Sequence, residues 1–202
     1  MIVGLCGFAQ SGKDTVGSIL SEDFGYERRA FADALKSLAY DSSHYIADAV
    51  DRLGWDGAKE MPGIREYLQN LGVGARKNLY EDVWVDTVLP PWNKAHLRSS
   101  IWPPERDIVI TDVRFNNEID RIKAYCGKVG LVYRPGVEPP NDHISEVEWT
   151  HRITDFDFII WNDMSIAHLK AEVDGLHRVS WRSFSDQQTL REKRDSILRL
   201  AT

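Results

Sequence analysis

The sequence has only two cysteines, Cys6 and Cys126, and they form no close pair and no Cys/His ligand pattern. A disulfide framework and a zinc site are thereby excluded, and Cys6, inside an apolar run, reads as a small buried thiol. Long hydrophobic stretches are missing too. The strongest, residues 1–6 and 158–161, are far too short to cross a bilayer. No basic stretch with a cleavage site opens the chain, so the expectation is a cytoplasmic protein with no membrane attachment. Positive charge is outnumbered, 25 Lys and Arg against 31 Asp and Glu for a net charge of −6, which argues against a nucleic-acid coat, although a few placed arginines still suffice for a mononucleotide. Internal repeats and low-complexity tracts are lacking as well.

What is present alternates between two periods. Residues 1–6 read as a buried strand, and Val16, Ile19, Leu20 and Phe24 mark an amphipathic helix over 13–24. A strand at 26–31 and helical spacing over 33–50 follow. Gly54, Gly57 and Pro62 make 53–62 loop-like, and helical patterns return at 64–76 and 82–97. Strands are expected at 107–111, 128–133 and 156–161, with helices at 116–125, 145–150 and 165–173. A Pro/Gly-rich loop lies at 135–142. Such alternation predicts an α/β fold, a parallel sheet with crossover helices on both faces. The expected organisation is one domain: a core of 1–50 and 107–176, a helical insertion over about 51–106, a lid-like loop at about 135–152, and a C-terminal helix at about 185–200. That last amphipathic segment would be the place for a homodimer contact.

Chemistry concentrates after the first strand. Gly7-Phe8-Ala9-Gln10-Ser11-Gly12-Lys13 fits G-x-x-x-x-G-K, with a buried strand before it and a helix behind it. Glycines let the backbone curl so that successive N–H groups meet phosphate oxygens, and the helix dipole adds to the attraction. Lys13 supplies a mobile cation for the β- and γ-phosphates of ATP. Gly7, Ala9, Gln10, Ser11, Gly12, Lys13, Asp14 and Thr15 are therefore the expected ATP-binding residues. The usual Ser/Thr after the lysine is replaced by Asp14, with Thr15 one place later. Asp14 either takes over Mg²⁺ binding or simply favours the helix N-terminus.

The strand ending at Thr111 is followed by Asp112-Val113-Arg114, with no glutamate beside Asp112 to activate a hydrolytic water. Arg114 instead places positive charge where a second phosphorylated substrate would need it, unless it serves a surface ion pair. The loop Ser-Gly-Lys-Asp-Thr (11–15), the segments 31–36 (Phe-Ala-Asp-Ala-Leu-Lys) and 65–72 (Arg-Glu-Tyr-Leu-Gln-Asn-Leu-Gly), Arg76, and Trp84-Val85-Asp86 together resemble the phage-type deoxynucleoside monophosphate kinases. So do Asp112-Val113-Arg114-Phe115-Asn116-Asn117-Glu118, His143-x-Ser145-Glu146 and Ile160-Trp161-Asn162-Asp163. The resemblance implies a P-loop NTPase fold with a five-stranded parallel sheet, and γ-phosphoryl transfer from ATP to a deoxynucleoside monophosphate with Mg²⁺, as in nucleotide biosynthesis for phage DNA replication. No nucleic-acid partner is expected.

On that basis Asp112 joins Asp14 as a candidate metal ligand, and Lys36, Arg65, Gln69, Arg76 and Arg114 are candidates for the monophosphate. Arg65 and Gln69 lie four apart on one helix face, and an amide such as Gln69 can read a base edge. Lys13, Arg114, Arg134 and Arg152 are the candidate catalytic cations, the last two flanking the lid-like loop. Asn162 lies where a loop could touch adenine. Trp84 reads as core. His143, Ser145 and Glu146 organise the loop, or Ser145 caps a helix. Another small-molecule kinase of the phosphomevalonate type, and a non-catalytic ATP sensor, are the alternatives.

Overall fold

The computed structural model describes residues 1–91, 105–139, 143–179 and 181. The expected C-terminal helix at 185–200, residues 92–97 of the helical pattern begun at 82, and the tip of the Pro/Gly-rich loop at 140–142 fall outside the described residues. Two compact units emerge, one comprising 1–29 with 92–202 and the other 30–91.

In the first unit the strands β1 (Ile2–Cys6), β2 (Glu27–Arg29), β3 (Ile108–Ile110), β4 (Lys128–Tyr133) and β5 (Phe158–Trp161) form one parallel sheet in the order β2-β3-β1-β4-β5. The β-branched and aliphatic side chains of Ile-Val-Ile in β3 are all buried, as a strand covered on both faces requires. Alternation along β1 sorts its neighbours. Val3 and Leu5 join a core with Val16, Ile19 and Leu20 of α1 (Lys13–Phe24) and with Leu169, Val173 and Leu176 of α8 (Ile166–Arg178). Gly4 instead meets Ile122 of α6 (Asn116–Ala124) on the opposite face. The expectation of helices on both faces of a five-stranded parallel sheet therefore holds.

One close approach fixes a residue type. A methyl group at Gly130, in β4, would lie 2.1 Å from Cε2 of Phe158 on the neighbouring strand. We expect Gly130→Ala to lower unfolding free energy by about 2–3 kcal/mol, the scale of overpacking a dense core. Urea denaturation checks this, and an unchanged midpoint would mean the Phe158 ring relaxes freely.

The second unit packs α2 (Ala32–Ser42), α3 (His44–Lys59) and α4 (Ile64–Asn78) around Ala39, Ile46, Ala49, Ala58, Ile64 and Leu68, followed by the short α5 (Val85–Val88). Here the structure differs from the sequence reading. The unit begins at Ala30 rather than near 51, because α2 packs on both α3 and α4. The helical spacing over 33–50 is broken at Ser43, whose hydroxyl caps α3 by accepting from the Ile46 N–H. Residues 53–59 are helical instead of loop. Gly54 (φ 67°, ψ 173°) kinks α3 without ending it, because Ala58 beyond the kink is drawn into the core. Trp84 is half-buried, and its indole N–H donates to the Gly72 carbonyl at 3.0 Å.

The short helix expected at 145–150 is present and extends further. Residues 144–155 form α7 (Ile144–Val147) and a 3₁₀ segment (Glu148–Asp155), anchored by buried Trp149 and Ile153. The Trp149 ring lies 5.0 Å from that of Phe8. Among the described residues no helix is long and apolar enough to cross a membrane.

Candidate functional site

The sheet order places β1 between β3 and β4, so the chain passes from one side of β1 to the other between β3 and β4. In open parallel sheets ligands bind at such a switch point, beyond the carboxyl ends of the strands. The loop at 7–12 leaves the end of β1, Asp112 follows β3, Arg134 follows β4 and Asn162 follows β5. The Val113 N–H donates to the Leu5 carbonyl at 3.2 Å, which ties the segment after β3 to the end of β1 before the loop.

Within the loop Gly7 (φ 142°) and Gly12 (φ 104°) hold conformations that favour glycine, and Gln10 (φ 64°) is left-handed. Four of its carbonyls, those of Gly7, Phe8, Ser11 and Gly12, have protein partners. Lys13 Nζ donates to Gly7 O at 2.8 Å and to Phe8 O at 2.6 Å. Ser11 O accepts from Asn162 Nδ2 at 2.9 Å, and Gly12 O accepts from the Val16 N–H at 3.0 Å. With these oxygens engaged, the loop and the first turn of α1 have N–H groups to offer an anion. Lys13 is buried, and its pKa is pushed down to about 8, first by that burial and then by the positive charge of Arg114, against the opposing pull of Asp14 and Glu146. The buried Cys6 thiol is pushed up by burial and takes no charged role.

Arg114 forms an ion pair with Glu146, which is 4% exposed, and reaches the Ser145 carbonyl at 3.4 Å. Burial opposes the arginine's charge, but Glu146, by attraction and by hydrogen bond, raises its pKa above the ordinary value. The backbone is held as firmly. Glu118 Oε2 accepts from the Arg114 and Phe115 N–H groups at 2.6 and 3.0 Å, and Glu148 Oε1 accepts from the Asn116 N–H at 2.9 Å. It is His143, not Ser145, that caps α7: its Nδ1 accepts from the Ser145 N–H at 3.2 Å. The sequence assigned Glu118 no role, although a glutamate three places into a helix commonly reaches back to the N-cap amide.

The other candidates fare differently. Arg152 is spent on Asp120 and Asp155, whose hydrogen bonds raise its pKa. Arg134 makes no ion pair with a described residue. The Asp14 carboxylate meets Arg28 Nη2 at 2.6 Å, a partner in β2 that the sequence did not suggest. In the second unit α4 carries Arg65, Gln69 and Arg76 at spacings of four and seven, on one face. Arg65 pairs with Glu60 at 2.8 Å, and the largely buried Arg76 faces Glu81 at 3.6 Å. Lys36 of α2 faces Asp33 at 3.7 Å.

Among the described residues no group of three or more His, Cys, Asp or Glu side chains could hold a metal ion. Mg²⁺ commonly takes one or two carboxylates and completes its shell with water and substrate phosphates, so it needs no such group. Asp112, just after β3, is one carboxylate that it could take, and the Asp14 carboxylate is paired with Arg28.

Residues 54–173 match the family model of deoxynucleotide monophosphate kinase. A protein of Acanthamoeba polyphaga mimivirus, provisionally named a deoxynucleotide monophosphate kinase, is 27% identical over 192 residues, spanning 86% of this chain and 94% of its own. Among solved structures, dephospho-CoA kinase from Campylobacter jejuni aligns over 91% of this chain and 98% of its own, at 12% identity and a TM-score of 0.49. Shikimate kinase from Aquifex aeolicus vf5 aligns over 88% of this chain and 96% of its own, at 14% identity and a TM-score of 0.46.

Proposed function

The chain belongs to the deoxynucleotide monophosphate kinase family, which makes it a nucleotide kinase, and we propose that it transfers the γ-phosphoryl of ATP to a deoxynucleoside 5′-monophosphate in the cytoplasm, supplying diphosphates for DNA synthesis. The observation that carries this reading is the loop at 7–13, where protein donors engage the carbonyls of Gly7, Phe8, Ser11 and Gly12 while Lys13 and Arg114 bring two cations to its surroundings. Phosphoryl transfer asks for little covalent chemistry, so positioning and charge neutralisation account for most of the catalysis.

In this reading the amides of 9, 10 and 12–15 hold the ATP phosphates, the Ser11 N–H donating instead to the Phe8 carbonyl at 3.2 Å. Lys13 exchanges the Gly7 and Phe8 carbonyls for phosphate oxygens. Arg114, fixed by Glu146, neutralises charge on the transferred group, with Arg134, which makes no ion pair with a described residue, as a further cation. Asp112 holds Mg²⁺, directly or through water; the ion would neutralise phosphate charge. The monophosphate falls to Lys36, Arg65, Gln69 and Arg76, with guanidinium forks suited to phosphate. The present carboxylate partners of Lys36, Arg65 and Arg76 are replaced by the substrate's anion. No protein nucleophile is needed, because the acceptor phosphate oxygen is already anionic.

A coupled ADP-release assay across deoxynucleoside and ribonucleoside monophosphates, with phosphomevalonate as a different acceptor, tests the proposal. At least one deoxynucleotide should raise ADP release far above the no-acceptor rate. Equal, background release with every deoxynucleotide would refute it.

A further inference from the structure

Asn162 has its amide committed to the phosphate loop. Its backbone N–H donates to the Tyr133 carbonyl at 2.8 Å, one rung beyond the β4–β5 ladder, so the residue is fixed at its root by the sheet. Its Nδ2 donates to the Ser11 carbonyl at 2.9 Å, joining positions 151 residues apart. The same nitrogen would lie 2.4 Å from a methyl group placed on Gly12.

The consequence follows from the planarity of the peptide unit. The Ser11 carbonyl and the Gly12 N–H belong to one trans peptide and point in opposite directions. Holding the oxygen on Asn162 therefore aims the Gly12 N–H away from Asn162. Without the brace this peptide could rotate, because Gly12, at φ 104°, puts no Cβ in the way. A rotated peptide would bring a carbonyl oxygen, rather than an N–H, to an incoming phosphate. Gly12 is then needed twice: for its backbone conformation, and because any side chain there would displace the brace.

We propose that Asn162 is a positioning residue that sets the orientation of the Ser11–Gly12 peptide for triphosphate binding, and that it does not read the adenine base. The proposal rests on the reading of the loop as an ATP site. It requires that Asn162 act on the phosphates common to every nucleoside triphosphate, so its loss should be indifferent to the base.

The test measures dissociation constants for ATP, GTP and inorganic tripolyphosphate with the wild-type chain, Asn162→Ala and the isosteric Asn162→Asp. The aspartate keeps the shape but presents only acceptors to the Ser11 carbonyl. Both variants should lose about tenfold or more for all three ligands by the same factor, the aspartate at least as much as the alanine. KM for the monophosphate should hold, and so should the unfolding midpoint of the ligand-free protein. A loss confined to ATP would overturn the proposal in favour of a base contact. Wild-type affinity in Asn162→Asp would overturn it by showing that donation to Ser11 is not required. Failure of the wild-type chain to bind any of the three would instead sink the ATP-site reading itself.

Discussion

Lys13→Ala is expected to lower kcat for phosphoryl transfer by about three orders of magnitude, the scale on which a cation at the transferring phosphate acts, while the protein still folds. The pH dependence separates this from a general structural defect. Lys13 has a pKa of about 8 in the fold against an ordinary 10.5, so the unfolded chain binds more protons between those values. Its contribution to stability is therefore complete above about 10.5 and is lost as pH falls through about 8. Wild-type stability should gain relative to Lys13→Ala on going from pH 7 to pH 9.5, as measured by denaturant unfolding at both values. Ligand binding follows the same proton. Above about pH 8 the free protein loses its lysine charge, so ATP affinity should fall, approaching tenfold per unit of pH. Bound phosphates would restore the proton, so ATP binding near pH 8.5 should take up protons. Titration calorimetry in two buffers of different ionisation enthalpy reads that uptake directly. Lys13→Ala should take up none, and equal uptake by both proteins would remove Lys13 from the phosphate site.

The loop behind this prediction was plain in the sequence because its signal is local: a strand, a glycine turn, a lysine and a helix within about twenty residues. The same holds for α1, β4 and α6, whose apolar spacing or runs marked their extents to within a residue. The misreadings share a different cause. The spacing over 33–50 runs without interruption through Ser43, so two helices looked like one, and Gly54 looked like a terminator when tertiary packing carried the helix past it. Trp149 and Ile153, both buried, carry helical structure past the helix end expected at 150. The partners of the candidate residues were least legible of all. Arg28 on Asp14, Glu146 on Arg114 and Asn162 on Ser11 are joined only by the fold, and no spacing announces a contact across 151 residues.

Arg114→Ala should have the second large effect, costing about 10²–10³ in kcat, the range for loss of one preorganised donor at a developing charge. It should also cost stability. Glu146 is 4% exposed, and removing its partner leaves a buried carboxylate unpaired. Breaking a buried pair costs about 3–5 kcal/mol, and a smaller figure, about 2 kcal/mol, is appropriate because the Arg114 side chain is 32% exposed. The two losses are separable with Glu146→Gln, which removes the carboxylate's charge but leaves Arg114 in place with an amide oxygen to accept its hydrogen bond. That variant should be closer to wild type in stability than Arg114→Ala. Its kcat should still fall, because the guanidinium beside Lys13 then loses the strongest of the charges that hold it and keeps only the weaker pull of Asp112 and Glu118. In a double-mutant cycle, Arg114→Ala in the Glu146→Gln background should cost less stability than Arg114→Ala alone, since the unpaired charge is gone. Its kcat should be close to that of Arg114→Ala, because the ion pair makes Arg114 the main route by which Glu146 acts, beside a weaker pull on the Lys13 charge. Additive losses in kcat would show that Glu146 has a separate function and would break the link from buried carboxylate to arginine to phosphate.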